Sequence, residues 1–234
     1  MVIDAKSSQM SDTRIERKYF VTSLDTRELE SIIKFHPALF QEIYYQRRVN
    51  NIYFDNCSFL NFRDNIDGSQ YRLKVRIRWY GDLHGEIVKP VLEFKIKNGL
   101  VGWKSSRTLK SFDIGPGKLH ERIKNVFSMS NLSEKIRELL ALQMPVLLNS
   151  YKRKYYLSAD GKFRLTLDTL MEYYRIIPSQ SNFLGKYIDQ DSRIVELKYA
   201  PNLDNEATNI SSYFPFRVTK SSKYVSGIEF VNQL

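Results

Sequence analysis

The sequence predicts a mainly β, α+β fold: a closed antiparallel β-barrel of about eight strands with flanking helices and a strongly basic, polar interior. Two observations carry the expectation. A series of separate runs is rich in Val, Ile, Tyr, Phe and Thr and bounded by turn residues. Several of these runs alternate long charged side chains with apolar ones. Successive side chains of a strand point to opposite sides, so the charges gather on one face.

In chain order, the first strand is expected over 14–21. A helix over 25–35 follows, with Leu29, Ile32 and Ile33 at helical spacing and Asp25 or Thr26 as its cap. A strand over 49–55 leads to a short helix near 58–63, then to strands over 70–80, 88–97 and 104–114. A helix over 132–142 opens with Ser133 and stops before Met144-Pro145, because proline disfavours the helical conformation in the residue before it. Strands over 147–157, 162–168 and 193–199 come next, and helices over 205–213 and 221–234 end the chain.

The alternation is clearest in 70–80, where Arg72, Lys74, Arg76 and Arg78 share one parity and Leu73, Val75, Ile77 and Trp79 the other. The run 88–97 sets Glu93, Lys95 and Lys97 against Leu92, Phe94 and Ile96. The last strand sets Glu196 and Lys198 against Val195, Leu197 and Tyr199, and 162–168 sets Arg164, Thr166 and Asp168 against Phe163, Leu165 and Leu167. In 14–21, Arg14, Glu16 and Lys18 share a face, with a less clean apolar side. A single charged face is usually a solvated one. Repeated on strand after strand, with Trp, Phe and Leu opposite, it points to an inverted barrel, apolar outside under helices and charged within. So many enclosed cations require a compensating anion, so the lumen is expected to be wet and to bind a polyanion.

Composition bounds the function. Of 234 residues, 36 are Lys or Arg and 26 Asp or Glu, a net charge of +10 that implies an anionic partner. Nucleic acid is disfavoured, because the basic residues point inward and no nucleic-acid motif is present. The single cysteine, Cys57, excludes an internal disulfide, and His36, His84 and His120 are too scattered for a metal pair. There is no internal repeat, so residues 14–234 are expected to form one domain preceded by a flexible segment, 1–13. That segment is polar and lacks the apolar region of a secretory signal. No stretch approaches the roughly 18 apolar residues of a membrane span. A soluble cytoplasmic protein is expected.

Several motifs then carry a resemblance: Glu16-Arg17-Lys18-Tyr19-Phe20-Val21, Ile52-Tyr53-Phe54-Asp55, Arg76-Ile77-Arg78-Trp79-Tyr80-Gly81 and Leu92-Glu93-Phe94-Lys95. Gly102-Trp103-Lys104-Ser105, Tyr151-Lys152-Arg153, Phe163-Arg164-Leu165-Thr166-Leu167-Asp168-Thr169, Val195-Glu196-Leu197-Lys198 and Lys220-Ser221-Ser222-Lys223-Tyr224 follow in the same order. The ordered set resembles the triphosphate tunnel metalloenzymes, the CYTH-like superfamily, and within it the catalytic domain of vacuolar transporter chaperone (VTC) polyphosphate polymerases.

The resemblance implies a tunnel that takes the triphosphate of ATP from one mouth and transfers the γ-phosphoryl group to a growing inorganic polyphosphate. It implies phosphate-binding roles for Lys18, Arg76, Arg78, Lys95, Lys104, Arg153, Arg164, Lys220 and Lys223, with Arg14 and Lys198 as further candidates. Lys18, Arg76, Arg78, Lys95, Arg164 and Glu196 form the implied catalytic set. Glu196 is the implied ligand of Mn2+ or Mg2+, with Glu93 and Glu16 as further metal candidates. Lys220 and Lys223, at i, i+3 on the expected C-terminal helix, would share a face and plug the tunnel. Side-chain chemistry agrees: arginine's fork suits bidentate phosphate binding, lysine supplies a compact charge, and a hard divalent ion takes oxygen ligands.

One departure bears on the reaction. Tunnel hydrolases of the superfamily begin with Glu-x-Glu-x-Lys, whereas this chain has Arg14-Ile15-Glu16-Arg17-Lys18, and its late pair is Glu196-Leu197-Lys198. Fewer carboxylates favour phosphate over water as nucleophile. An inorganic or nucleoside triphosphatase and a non-catalytic polyphosphate-binding domain are the alternatives.

Overall fold

A computed structural model describes residues 14–99, 101–115, 118–177 and 183–233. The expected flexible segment 1–13 and the terminal residue of the last expected helix, Leu234, lie outside the described residues. The elements are β1 (Ile15–Val21), α1 (Thr26–Lys34), β2 (Gln41–Asp55), α2 (Leu60–Asp67), β3 (Tyr71–Tyr80), β4 (Gly85–Ile87), β5 (Val91–Asn98), β6 (Val101–Thr108) and β7 (Phe112–Ile114). They continue with α3 (Leu119–Met129), α4 (Glu134–Ala141), β8 (Met144–Leu157), β9 (Arg164–Ile176), β10 (Phe183–Asp189), β11 (Arg193–Tyr199), a 3-10 turn at Pro201–Leu203, α5 (Asp204–Ser212) and α6 (Lys223–Asn232).

The main sheet is antiparallel in the order β1-β11-β9-β8-β2-β3-β5-β6, with β10 added beside β9. It curls until its two ends approach: Lys95 of β5 reaches Glu16 of β1, Nζ to Oε2 at 3.2 Å. The strand number and the class match the expectation. Closure does not, because among the described residues β1 and β6 remain unpaired edges of the hydrogen-bonded path. The outer edge of β1 is met by the segment before α6, where the Thr219 amide donates to the Lys18 carbonyl at 2.7 Å and the Thr219 hydroxyl accepts from the Phe20 amide at 2.9 Å.

Two apolar layers cover the convex side. Leu73, Val75, Ile77 and Trp79 of β3 and Leu92, Phe94 and Ile96 of β5 pack under Ile123 and Val126 of α3 and Ile136, Leu139 and Leu140 of α4. Tyr19, Val21, Leu165, Leu167, Val195 and Leu197 pack under Leu29 and Ile33 of α1 and Ala207 of α5. The start of α1 is fixed by a reciprocal capping box between Asp25 and Glu28. A third cluster lies on the concave side at one end, where Tyr224, Ile228 and Val231 of α6 meet Tyr53, Leu147, Tyr151, Tyr173 and Ile194.

Boundaries differ from expectation for identifiable reasons. The run expected over 104–114 is two strands, β6 and β7, and β7 pairs with β4 in a separate small sheet. The helix α3 has no strong capping signal: Lys118 at its N-cap makes no side-chain cap bond. Strand β2 begins eight residues earlier than its apolar run, because its first half, Gln41–Arg47, is exposed and carries no alternation. The last helix begins at Lys223 with Ser222 as its cap, so Lys220 precedes it and does not share a helical face with Lys223.

Candidate functional site

The charged parity singled out on β1, β3, β5, β9 and β11 faces the concavity, joined by Arg153 of β8. The ladders place these residues side by side: Lys18 opposite Glu196 and Glu16 opposite Lys198, Lys198 opposite Arg164, and Arg153 opposite Asp168. On the other half of the curl, Arg76 stands opposite Glu93, Lys74 opposite Lys95, and Lys95 opposite Lys104. The residues singled out from sequence thus come from β1, β3, β5, β6, β8, β9 and β11, joined by Lys223 of α6.

Two sets of carboxylates organise these cations. In the first, Glu93 is buried and bound to Arg76 (Nη2 to Oε2 2.6 Å, Nε to Oε2 2.7 Å), to Lys104 and, more loosely, to Arg78 at 3.9 Å. Burial opposes its ionisation, but Arg76, Arg78 and Lys104 outweigh that and hold the carboxyl far below the usual range. Arg76 and Lys104 each hold one oxygen of Glu93 more closely than any cation holds Glu196 or Glu16, so metal candidacy passes to the second set.

In that second set, Glu196 lies 3.5 Å from Lys18, 3.2 Å from Lys198, 3.8 Å from Lys223 and 3.4 Å from Arg153. Glu16 lies 3.8 Å from Lys18, 3.6 Å from Lys198 and 3.2 Å from Lys95. Burial works against Glu16, yet Lys95 and Lys198 pull its carboxyl down to about 2. Glu196 is likewise held well below the usual range by Lys198, Lys18, Lys223 and Arg153, against burial. Both are ionised at neutral pH and share two lysines.

Beneath Glu196 is a group whose weight the sequence did not reveal. Asp168 is fully buried, accepts from Arg153 at 2.5 and 2.6 Å, and pairs with Lys223 at 2.5 Å. It fixes the two cations that flank Glu196. Tyr151 sits over them, with Lys223 Nζ 4.8 Å and the Arg153 guanidinium 5.3 Å from its ring, and its hydroxyl lies 3.5 Å from Arg78. Burial would raise that phenol, but Arg153 and Arg78 lower it. Both residues could have been singled out by parity, Asp168 with Arg164 and Tyr151 with Arg153.

The helix α6 closes this end. Asp55 accepts from the amides of Asn61 and Phe62 at the start of α2, both at 2.9 Å, and from the Tyr224 hydroxyl, which ties α6 to β2. Ser222 Oγ accepts from Lys74 at 2.8 Å and the Ser221 carbonyl accepts from Lys18 at 3.4 Å. Lys220 stands apart, exposed on the segment leading in, and Arg14 and Arg164 are exposed as well.

A divalent ion would find few protein ligands here. Among the described residues no three His, Cys, Asp or Glu side chains converge into a protein-only cage. Glu196 has opposite it in the ladder the buried Thr166 hydroxyl, which has no hydrogen-bond partner, and it shares Lys18 and Lys198 with Glu16. One or two carboxylates completed by substrate phosphate oxygens is how Mg2+-type ions are commonly held. The donor set fits.

Comparison with known proteins gives a family and a fold. A family model described as the VTC domain matches residues 13–232. None of the curated proteins compared matches the chain. Among solved structures, HpAC1 from Hippeastrum, for which a dominant triphosphatase activity is described, superposes with a TM-score of 0.52 at 14% identity, covering 93% of this chain and 96% of that one. A Vibrio parahaemolyticus protein assigned as an adenylate cyclase gives 0.52 at 11% identity, covering 92% and 98%. At such identities the likeness is one of fold.

Proposed function

The chain belongs to the VTC domain family, and on that premise we propose that it is an ATP-dependent polyphosphate polymerase, adding the γ-phosphoryl group of ATP to inorganic polyphosphate inside the basic concavity. The observation that carries the reading is the convergence of Lys18, Arg76, Arg78, Lys95, Lys104, Arg153, Lys198 and Lys223 on one concave surface, balanced only in part by Glu16, Glu93, Asp168 and Glu196. That excess of positive charge suits a chain of phosphates.

In this reading Arg76 and Arg78 grip the nucleotide's phosphates, held in position by Glu93, while Arg153 and Lys223, held by Asp168, line the opposite wall. A terminal oxygen of the polyphosphate attacks the γ-phosphorus, a new P–O bond forms, and the bond to the β,γ-bridging oxygen breaks to release ADP. The attacking oxygen is already anionic, so no general base is required. Positioning and neutralisation of charge provide the acceleration. Glu196 and Glu16, with Thr166 beside Glu196, would hold Mn2+ or Mg2+, which when bound supplies further neutralisation of phosphate charge.

A triphosphatase is the second reading, favoured by the described activity of the Hippeastrum protein and by the pair of ionised carboxylates, which could orient a water. Incubation with ATP and Mn2+ followed by gel analysis separates the readings. Long acid-labile phosphate chains with ADP support the polymerase. Release of orthophosphate alone supports the hydrolase, and binding without turnover supports a non-catalytic domain.

A further inference from the structure

Beyond Arg78 and Arg153, the concave face ends in a cluster of tyrosines that the reading above does not use. Tyr80 follows Arg78 by two residues on β3 and Tyr155 follows Arg153 by two on β8, so both continue the cationic parity towards the end remote from α6. Strand β2 runs between them, and its register shifts on either side of Tyr44 bring Arg47 into the gap. The Arg47 guanidinium lies 4.8 Å from the Tyr44 ring centroid, 5.6 Å from that of Tyr155 and 5.8 Å from that of Tyr80. Tyr44 and Tyr155 meet edge to face with centroids 5.8 Å apart. Tyr44 and Tyr80 are about half exposed, at 52% and 51%. No carboxylate pairs with Arg47 among the described residues.

We propose that this rim of Tyr44, Arg47, Tyr80 and Tyr155 is a nucleobase-stacking site, which binds the base of a nucleoside triphosphate whose phosphates lie against Arg78 and Arg153. The proposal rests on the reading of the concavity as a phosphate site and adds what recognises the rest of the nucleotide. Two residues along a strand is about 7 Å, comparable to the reach from an α-phosphate across a ribose to a base. Flat tyrosine rings and a guanidinium plane stack on any base through its π-face, and cation–π attraction adds to the contact. Nothing in the cluster presents a paired donor and acceptor to a base edge. The site therefore favours nucleotides over bare tripolyphosphate without choosing among bases.

The experiment measures calorimetric affinities of ATP, GTP and inorganic tripolyphosphate for the wild-type chain and for the variants Tyr80→Ala, Tyr44→Ala and Tyr80→Phe. Expected is a loss of ATP and GTP affinity by about fivefold to a hundredfold in the alanine variants, the span of base–aromatic stacking. Tripolyphosphate affinity is expected to hold in every variant, and Tyr80→Phe to bind nucleotides as the wild type does. Equal weakening of all three ligands, or no change in any, overturns the stacking site while leaving the phosphate site standing. If the wild-type chain binds neither ATP nor tripolyphosphate, both the phosphate reading and the rim fail together.

Discussion

Lys74 and Lys95 stand directly opposite each other across the β3–β5 ladder, two ammonium groups on one face of adjacent strands. Like charges so placed repel. Lys95 has Glu16 as a partner, whereas Lys74 is flanked by Arg72 and Arg76 on its own strand and faced by Lys18 from β1, with the neutral Ser222 hydroxyl of α6 as its hydrogen-bond acceptor.

That arrangement predicts proton-linked binding. Burial first, then Lys18, Lys95, Arg76 and Arg72, lower the Lys74 ammonium from 10.5 to about 7. A folded value below the unfolded one means the unfolded chain holds more protons between those limits, so stability of the ligand-free protein rises with pH across that window. A bound polyanion reverses the local field and favours the ammonium. Tripolyphosphate binding at pH 8 should therefore take up protons, and affinity should decline as pH rises above about 7. Titration calorimetry in buffers of different ionisation enthalpy measures the uptake. Lys74→Met should remove most of it, and equal uptake in that variant would count against the assignment.

Asp168 supports a second prediction. Replacing one member of a buried ion-pair network leaves its partners charged and unpaired, at a cost of about 3–5 kcal/mol. Asp168→Ala leaves Arg153 and Lys223 only their looser contacts with Glu196, at 3.4 and 3.8 Å, and should lower the unfolding free energy by up to that amount. Tripolyphosphate should restore more stability to this variant than to the wild type, because it replaces the missing anion. Thermal melts with and without ligand measure both effects.

Glu196 separates binding from turnover. Glu196→Gln keeps the shape but removes the charge that Lys18, Lys198 and Lys223 surround. Metal-dependent turnover should fall by about a hundredfold or more while nucleotide affinity holds or rises. Arg76→Ala should do the reverse, weakening binding itself. Parallel turnover and binding measurements decide, and an unchanged rate in Glu196→Gln would remove it from the metal site.

The parity of charges was legible because period-two alternation survives in any strand with one apolar face, and it located Arg76, Arg78, Lys95 and Glu196 on the concave side. It could not rank them. Lys74 has the same parity as Arg76, and only the approach of Lys18 across the curl, added to Lys95 across the ladder, separates an unmatched cation from a paired one. Glu93 and Glu196 likewise look alike in sequence as lone carboxylates among bases. Their difference arises because Arg76 and Lys104 hold the first closely, whereas the cations around Glu196 stand 3.2 to 3.8 Å away. The tyrosine rim was hidden for another reason, since β2 carries no alternation before Arg48 and its register shifts are set by β8.

Gly227 tests how the plug is seated. A Cβ built there would come within 2.5 Å of Leu147 Cδ2 and 2.6 Å of Tyr173 Cδ1, so α6 reaches the inner surface of β8 and β9 only because this position lacks a side chain. Alanine gains about 1 kcal/mol of helix propensity over glycine. The Leu147 methyl can rotate aside, but the Tyr173 ring is fully enclosed and must push the helix back, an overpacking cost of about 1–3 kcal/mol. Gly227→Ala should thus be neutral to mildly destabilising in a melt while displacing Lys223 and Ser222 from Asp168 and Lys74. Its turnover should fall further than its stability, and a variant that loses neither would show that the seating of α6 does not set the geometry of the site.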